Sequence, residues 1–219
     1  MTKKRITAWV FLNRGAIAAC MTVGILAAAQ FCRLLPAQAM MKPVNLAYLV
    51  KRADVIVQGR ITNVVREDLP GYPNIPTVKV ILDVEDMVRG PEGKTYTFRE
   101  IVLGLRSKQG KMDYRTGQQI LLFLPAPTDK GLSSPIGMEQ GRFYISRNPA
   151  GEAVVANTFG NGGLFIDVAQ AARNEGRRLT PSQLRLVSGE SGPVKLSEFS
   201  SLVKSLSSLK RIKDPTRID

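Results

Sequence analysis

The sequence predicts a mainly β domain, a small antiparallel barrel or sandwich, with a short helix before it and further helices after it. Three observations predict this class. Apolar residues alternate with polar ones over six segments in the middle of the chain. Glycine and proline separate these segments, as they do in small barrels and sandwiches. The apolar period becomes helical at both ends of this region.

A short helix opens the domain. Asn45 is a suitable N-cap for a helix that runs to about Arg52, with an apolar stripe at Leu46, Leu49, Val50 and Ala53. Half-buried strands are predicted after it at 54–66, 77–88, 96–105, 118–124, 141–146 and 152–157. Between the first two strands, segment 67–76 holds three prolines and a glycine, which predicts a long connection.

The C-terminal part is predicted to be helical. Helices are expected at 167–175, after Thr180 with Pro181 at the first position, and at 196–210. The last helix carries an apolar face made of Leu196, Phe199, Leu202, Val203, Leu206 and Leu209. We expect this face to dock on the sheet. A membrane-surface helix is the alternative, because Lys204, Lys210, Arg211 and Lys213 cluster at its C-terminal end.

Residues 1–39 have the features of a signal peptide. Lys3, Lys4, Arg5 and Arg14 precede the apolar run 15–31, and Ala37-Gln38-Ala39 is a suitable cleavage site. The expected protein is therefore secreted or periplasmic. An uncleaved anchor and a lipoprotein cut before Cys20 are the alternatives. The predicted organisation is a signal peptide at 1–39, a β-barrel domain at 40–160 and a helical extension at 161–219 packed on the barrel.

Composition restricts the chemistry. The 219 residues hold 31 Lys and Arg against 18 Asp and Glu. Five of the cations and none of the acids lie in 1–39, so the rest of the chain carries a surplus of eight positive charges. This surplus suggests an anionic partner, but because the cations are scattered along the sequence it fits a role in solubility equally well. The chain has no histidine, and both cysteines, Cys20 and Cys32, lie in the leader. Histidine-dependent catalysis, the common zinc sites and a disulfide in the mature chain are excluded.

Several segments resemble catalytic motifs without completing them. Gly93-Lys94-Thr95 lacks the first glycine of a phosphate-binding loop, since Val88 stands there, and 159–163 lacks dinucleotide-binding spacing. Ser-x-x-Lys occurs at 201–204 and 207–210 within a helix rich in both residues. Asp83, Glu85 and Asp86 are expected on the solvent side of a strand. We therefore predict no catalytic, cofactor-binding or metal-binding residues.

Segments 52–61, 80–90 and 117–124 together resemble the start of netrin-like and tissue-inhibitor-of-metalloproteinase modules. They also resemble exported bacterial proteins without an assigned function. The resemblance covers about residues 46–146 and implies a five- to six-stranded barrel of the OB (oligonucleotide/oligosaccharide-binding) type. Those inhibitors chelate the protease zinc through an N-terminal cysteine, whereas the predicted mature chain begins at Met40. That mechanism does not transfer.

The expected function is an exported, non-enzymatic binding module for a protein or for an anionic polysaccharide or lipid of the cell envelope. Loops at the mouth of such a barrel usually bind the partner, which points to 67–76 and 128–135. A netrin-like peptidase inhibitor is the alternative, and a Ser/Lys hydrolase is a more distant one. Nucleic acid is not an expected partner, because the chain lacks interleaved aromatic and basic residues.

Overall fold

The computed structural model describes residues 42–102, 114–189 and 191–212. These residues form seven strands and four α-helices, with one 3-10 helix between β4 and β5. In chain order they are α1 (Leu46–Arg52), β1 (Val55–Leu69), β2 (Tyr72–Arg89), β3 (Thr95–Ile101), β4 (Gln119–Leu124), the 3-10 helix (Met138–Gly141), β5 (Arg142–Arg147), β6 (Ala153–Asn157), α2 (Val168–Asn174), α3 (Pro181–Val187), β7 (Val194–Lys195) and α4 (Leu196–Leu206).

The strands form one antiparallel sheet in the order β3-β2-β1-β4-β5-β6-β7. The mainly β class is therefore confirmed. The closed OB-type barrel of five to six strands is wrong, because β3 and β7 lie at opposite ends of the sheet and do not pair. Closure needs two edge strands that can pair with each other. The outer edge of β3 is instead met by a loop, in which the Ser133 amide donates to the Arg99 carbonyl at 2.7 Å, and β7 has only two residues.

Segment 67–76 is part of a β-hairpin, so the predicted long connection is wrong. β1 and β2 continue to Leu69 and Tyr72, which pair across a turn at Pro70 and Gly71. Gly71 has a φ of 80°, which suits the third position of a type II turn after proline. The other two prolines, Pro73 and Pro76, lie beyond the part of β2 that pairs with β3. Pro76 still accepts a hydrogen bond from the Val102 amide at 2.9 Å, and its missing N–H lies at the very end of the ladder with β3.

Each face of the sheet carries its own apolar core. On one face the four helices pack against the central strands, burying Ile56, Leu121, Phe123, Phe143 and Val155. On the other face β1 to β4 bury Val57, Ile61, Val80, Leu82 and Phe98. Adjacent residues of β1 thus point into different cores, as the period of two requires. At Gly59 β2 approaches closely, since a Cβ there would lie 2.3 Å from the Asp83 carbonyl oxygen.

The helix boundaries follow the predicted caps closely. The Asn45 side chain accepts a hydrogen bond from the Tyr48 amide, and Thr180 and Gln183 form a capping box with Pro181 in the first turn. The last helix ends at Leu206, earlier than predicted. Its apolar face is buried, with Phe199, Leu202 and Leu206 at 0 % exposure. Docking of that face is confirmed, so the membrane-surface alternative for it is wrong.

The chain from Pro43 to Asp219 forms a compact unit of its own. The predicted signal peptide at 1–39 lies outside the described residues. Within the described ranges no helix has both the length and the apolar character needed to cross a membrane.

Candidate functional site

Two helices end at a single arginine. Arg89, the last residue of β2, donates hydrogen bonds to the carbonyl oxygens of Val50 and Ala53 at the end of α1, at 2.7 and 2.6 Å. Its other terminal nitrogen donates to the Ser207 carbonyl oxygen just after α4, at 2.6 Å. The last carbonyls of a helix lack intrahelical donors and carry a partial negative charge. A guanidinium satisfies them in both helices at once.

The end of α2 joins the same place through Glu175. Its carboxylate lies 2.6 Å from the Lys51 ammonium and accepts a hydrogen bond from the Lys210 amide at 2.6 Å. The Ile212 amide in turn donates to the Lys51 carbonyl oxygen at 2.9 Å. The hydrogen bond from Lys51, followed by that from the Lys210 amide, lowers the pKa of Glu175. The C-terminal ends of α1, α2 and α4 therefore converge around one carboxylate.

Cations surround this convergence. We call the surface the basic surface and define it by these nine residues: Lys51, Arg52, Arg89, Arg173, Arg177, Arg178, Lys204, Lys210 and Arg211. Three acids belong to the same region, through the ion pairs of Asp54 with Arg211, Asp86 with Lys204 and Glu175 with Lys51. Nine cations and three acids leave a surplus of six positive charges.

This surplus accounts for nearly all of the charge on the described fold. The described ranges hold 21 Lys and Arg against 14 Asp and Glu, a surplus of seven. The remaining described surface is therefore almost neutral. Cations that are scattered in the sequence thus lie on or next to the converging helix ends. The sequence pattern indicated Lys204, Lys210 and Arg211, together with Lys213, which lies outside the described residues. The signal for the others was available, since Lys51, Arg52 and Arg173 lie in the last turns of their helices.

The two predicted binding loops meet in the structure. The Lys130 ammonium lies 5.2 Å from the centre of the Tyr72 ring, so 128–135 reaches the turn of the β1–β2 hairpin. Arg99 stands between them, paired with Glu67 at 2.7 Å while its carbonyl oxygen accepts the Ser133 amide. Charges of both signs alternate here. The structure brings these loops together but gives them no charge surplus comparable to that of the basic surface.

A second charged cluster is buried on the face of the sheet opposite the helices. Arg142, at the start of β5, is 1 % exposed and pairs with Glu139 of the 3-10 helix through two oxygens. Its guanidinium carbon lies 4.5 Å from the Tyr114 ring centre and 5.8 Å from that of Tyr144. The Tyr114 hydroxyl donates to the Glu100 carboxylate at 2.8 Å. Every group in this chain of contacts has a partner.

The electrostatics of this cluster hold it in one protonation state. Burial disfavours the charged form of Arg142, but its interaction with Tyr114 and its hydrogen bond to Glu139 outweigh that effect and raise the pKa of Arg142. Burial, with the neighbouring Glu100 carboxylate, raises the pKa of Tyr114 well above its usual value. A protonated phenol held by a carboxylate is a poor nucleophile. The cluster is suited to joining β3, β5 and the 3-10 helix.

The incomplete motifs occupy structural positions. The Lys204 ammonium lies 2.8 Å from the Asp86 carboxylate of β2. Ser201 accepts a hydrogen bond from Gln183 at 3.2 Å, and Ser207 donates to the Lys204 carbonyl oxygen at 2.7 Å. On β2, Asp83 and Glu85 are both exposed, as the strand pattern predicts. None of these contacts joins a serine hydroxyl to a lysine side chain, as a Ser/Lys hydrolase would require.

No family model matches this chain, and no curated protein does either. The resemblance to netrin-like modules therefore stays a prediction. The fold and the site define this class of protein: a mainly β domain with an open seven-stranded sheet and with helices whose converging C-terminal ends carry a basic surface.

Proposed function

We propose that this protein is an exported, non-enzymatic binding module and that its partner is an anionic component of the cell envelope. The observation that supports this proposal is the concentration of six of the seven surplus charges on the basic surface. Charges that lie within one Debye length, about 8 Å at physiological salt, act on a ligand together. A dispersed surplus serves solubility equally well, whereas a concentrated one also creates a directional field.

Several of these cations also stabilise the fold. Arg89 donates hydrogen bonds to three carbonyl oxygens, and Lys51, Lys204 and Arg211 each form an ion pair with a carboxylate. Helix C-terminal ends are also partly negative. Capping of this kind needs one cation at each helix end. The exposed side chains of Arg173, Arg178 and Lys210 go beyond that need.

The experiment uses retention on a dextran sulfate resin with elution in a salt gradient. The variant Arg173→Gln/Arg178→Gln/Lys210→Gln removes three charges from the basic surface. The control Lys94→Gln/Arg115→Gln/Arg147→Gln removes three exposed charges elsewhere. We expect the first variant to elute at clearly lower salt and the control to elute close to the unaltered protein. Equal shifts in both variants would mean that only total charge matters and would refute the proposal.

A protein partner at the two predicted loops is the second candidate function. The contact between Lys130 and Tyr72 supports it, because it joins 128–135 and the hairpin turn into one continuous surface. A peptidase inhibitor is one form that such a module takes. Its test is a panel of secreted peptidases assayed with the purified protein, with Tyr72→Ala/Lys130→Ala as the comparison. Peptidases that keep full activity in excess protein would argue against the inhibitor.

A further inference from the structure

Three of the exposed large apolar side chains border the short helix α1. Tyr48 lies on this helix and is 42 % exposed, while Ile166 and Ile212 are 59 % and 43 % exposed. Tyr48 belongs to the outward side of the helix, since Leu46, Leu49 and Val50 are fully buried on the other side. Single exposed apolar residues are ordinary on a protein surface, but several around one element indicate an interaction site.

Hydrogen bonds place the two isoleucines at opposite ends of α1. The Asn45 side-chain amide donates to the Ile166 carbonyl oxygen at 3.0 Å, next to the first turn. The Ile212 amide donates to the Lys51 carbonyl oxygen at 2.9 Å, in the last turn. Tyr48 lies between these two points along the helix. The three residues thus lie along the length of α1, and we call them, with α1, the α1 face.

The α1 face adjoins the basic surface. Tyr48 and Arg52 are four residues apart on the helix and are therefore neighbours on its surface. Lys210 and Arg211 directly precede Ile212. Apolar side chains alternate here with cations, which is the composition of surfaces that enter the headgroup region of a bilayer. A soluble polyanion would use the cations alone and would leave the isoleucines in water.

We propose that the α1 face docks on the surface of an anionic lipid bilayer. This inference rests on the proposed function and names the anionic component as membrane lipid. Tyr48, Ile166 and Ile212 enter the interface between headgroups and acyl chains, and the neighbouring cations face lipid phosphates. The docking surface is distinct from the apolar face of α4, which is buried against the sheet.

The test is flotation with vesicles of phosphatidylglycerol and phosphatidylcholine, compared with vesicles of phosphatidylcholine alone. The protein begins at Met40, because Pro43–Asp219 is a compact unit by itself and the apolar leader would bind vesicles. The variant Tyr48→Ser/Ile212→Ser removes two apolar contacts from the α1 face. The control Phe159→Ser/Leu184→Ser removes an aromatic and an aliphatic side chain of similar exposure elsewhere. Thermal unfolding verifies that every variant is folded.

We expect the unaltered protein to bind the anionic vesicles and not the neutral ones. The Tyr48/Ile212 variant should bind about tenfold more weakly, since binding scales with apolar area, and the control should bind unchanged. Equal binding by all three proteins, or equal loss in both variants, would overturn the inference. Dextran sulfate retention separates the two proposals. A salt shift confined to the Arg173/Arg178/Lys210 variant, without any vesicle binding, refutes the membrane inference alone. Equal salt shifts in both charge variants, together with no vesicle binding, refute the proposed function as well.

Discussion

Arg89 donates a hydrogen bond to the Ser207 carbonyl oxygen at 2.6 Å, although 118 residues separate them in sequence. The same guanidinium also holds the end of α1, so one side chain of β2 fixes where two helices terminate. The cations of the basic surface are neighbours because of this arrangement. The first prediction therefore concerns the contribution of Arg89 to stability.

Arg89→Ala should lower the free energy of unfolding by about 2–4 kcal/mol, because the variant leaves three carbonyl oxygens without their charged donor. Arg89→Lys should recover only part of this loss, since one ammonium does not reproduce the forked guanidinium. Urea unfolding measures both values. Arg60→Ala, an exposed arginine of β1, is the control and should change stability by less than about 1 kcal/mol. An Arg89→Ala variant as stable as this control would contradict the role assigned to Arg89.

Glu175 should make stability depend on acid pH. Its pKa is lowered in the folded protein, chiefly by the hydrogen bond from Lys51, so the folded state favours the carboxylate. A lowered folded pKa gives stability that is present above the unfolded pKa and is lost as pH falls through the folded one. Glu175→Gln should therefore lower the thermal midpoint at pH 7 and differ less from the unaltered protein at about pH 3.

The matching control for this measurement is Glu92→Gln, because Glu92 is exposed in the turn before β3. It should leave both midpoints nearly unchanged. If Glu175→Gln showed the same deficit at both pH values, its effect would come from lost packing and not from charge.

Gly59→Ala should destabilise the protein by at least about 2 kcal/mol. A Cβ at this position would lie 2.3 Å from the Asp83 carbonyl oxygen, and neither strand can move away without disturbing the ladder between β1 and β2. Gly93→Ala is the control, since its nearest neighbour would be 3.4 Å away. Chemical unfolding of the two variants gives the comparison, and similar midpoints would contradict the close approach of the strands.

The buried cluster permits a double-mutant cycle. Arg142→Met should cost about 3–5 kcal/mol, because it leaves Glu139 without its guanidinium partner next to an apolar region. Adding Glu139→Gln should recover part of that loss, since the unpaired charge is then removed as well. Unfolding of both single variants and the double variant measures the coupling. Additive effects would mean that the two side chains do not interact.

Local features of the fold were predictable from local patterns. Asn45 and Thr180 were identified as caps because a capping side chain bonds an amide only two or three residues away. Most strand boundaries followed from the period of two. The prediction for segment 67–76 is wrong because three prolines in ten residues favour a connection over strands. Pro73 and Pro76 are tolerated because both precede Thr77, where the pairing of β2 with β3 begins, and because the Pro76 carbonyl oxygen still accepts the Val102 amide.

The candidate site was only partly predictable. Lys204, Lys210 and Arg211 are close together in sequence and were noted as a basic cluster. Their joining with Lys51 and Arg173 depends on Glu175 and Arg89, which bring helix ends from distant parts of the chain together. The predicted loops at 67–76 and 128–135 do meet. The sequence places cations in the last turns of separate helices, but only the fold shows that these helix ends converge.

The amino-acid sequence by itself determined the secondary structure class, the caps, the absence of histidine chemistry and the total charge, since all of these are properties of single residues or of short segments. Tertiary structure alone decided that the sheet stays open and that six of seven surplus charges share one surface. Both depend on which distant segments pack together. That choice is made by burial and hydrogen bonding over the whole chain, and no local period records it.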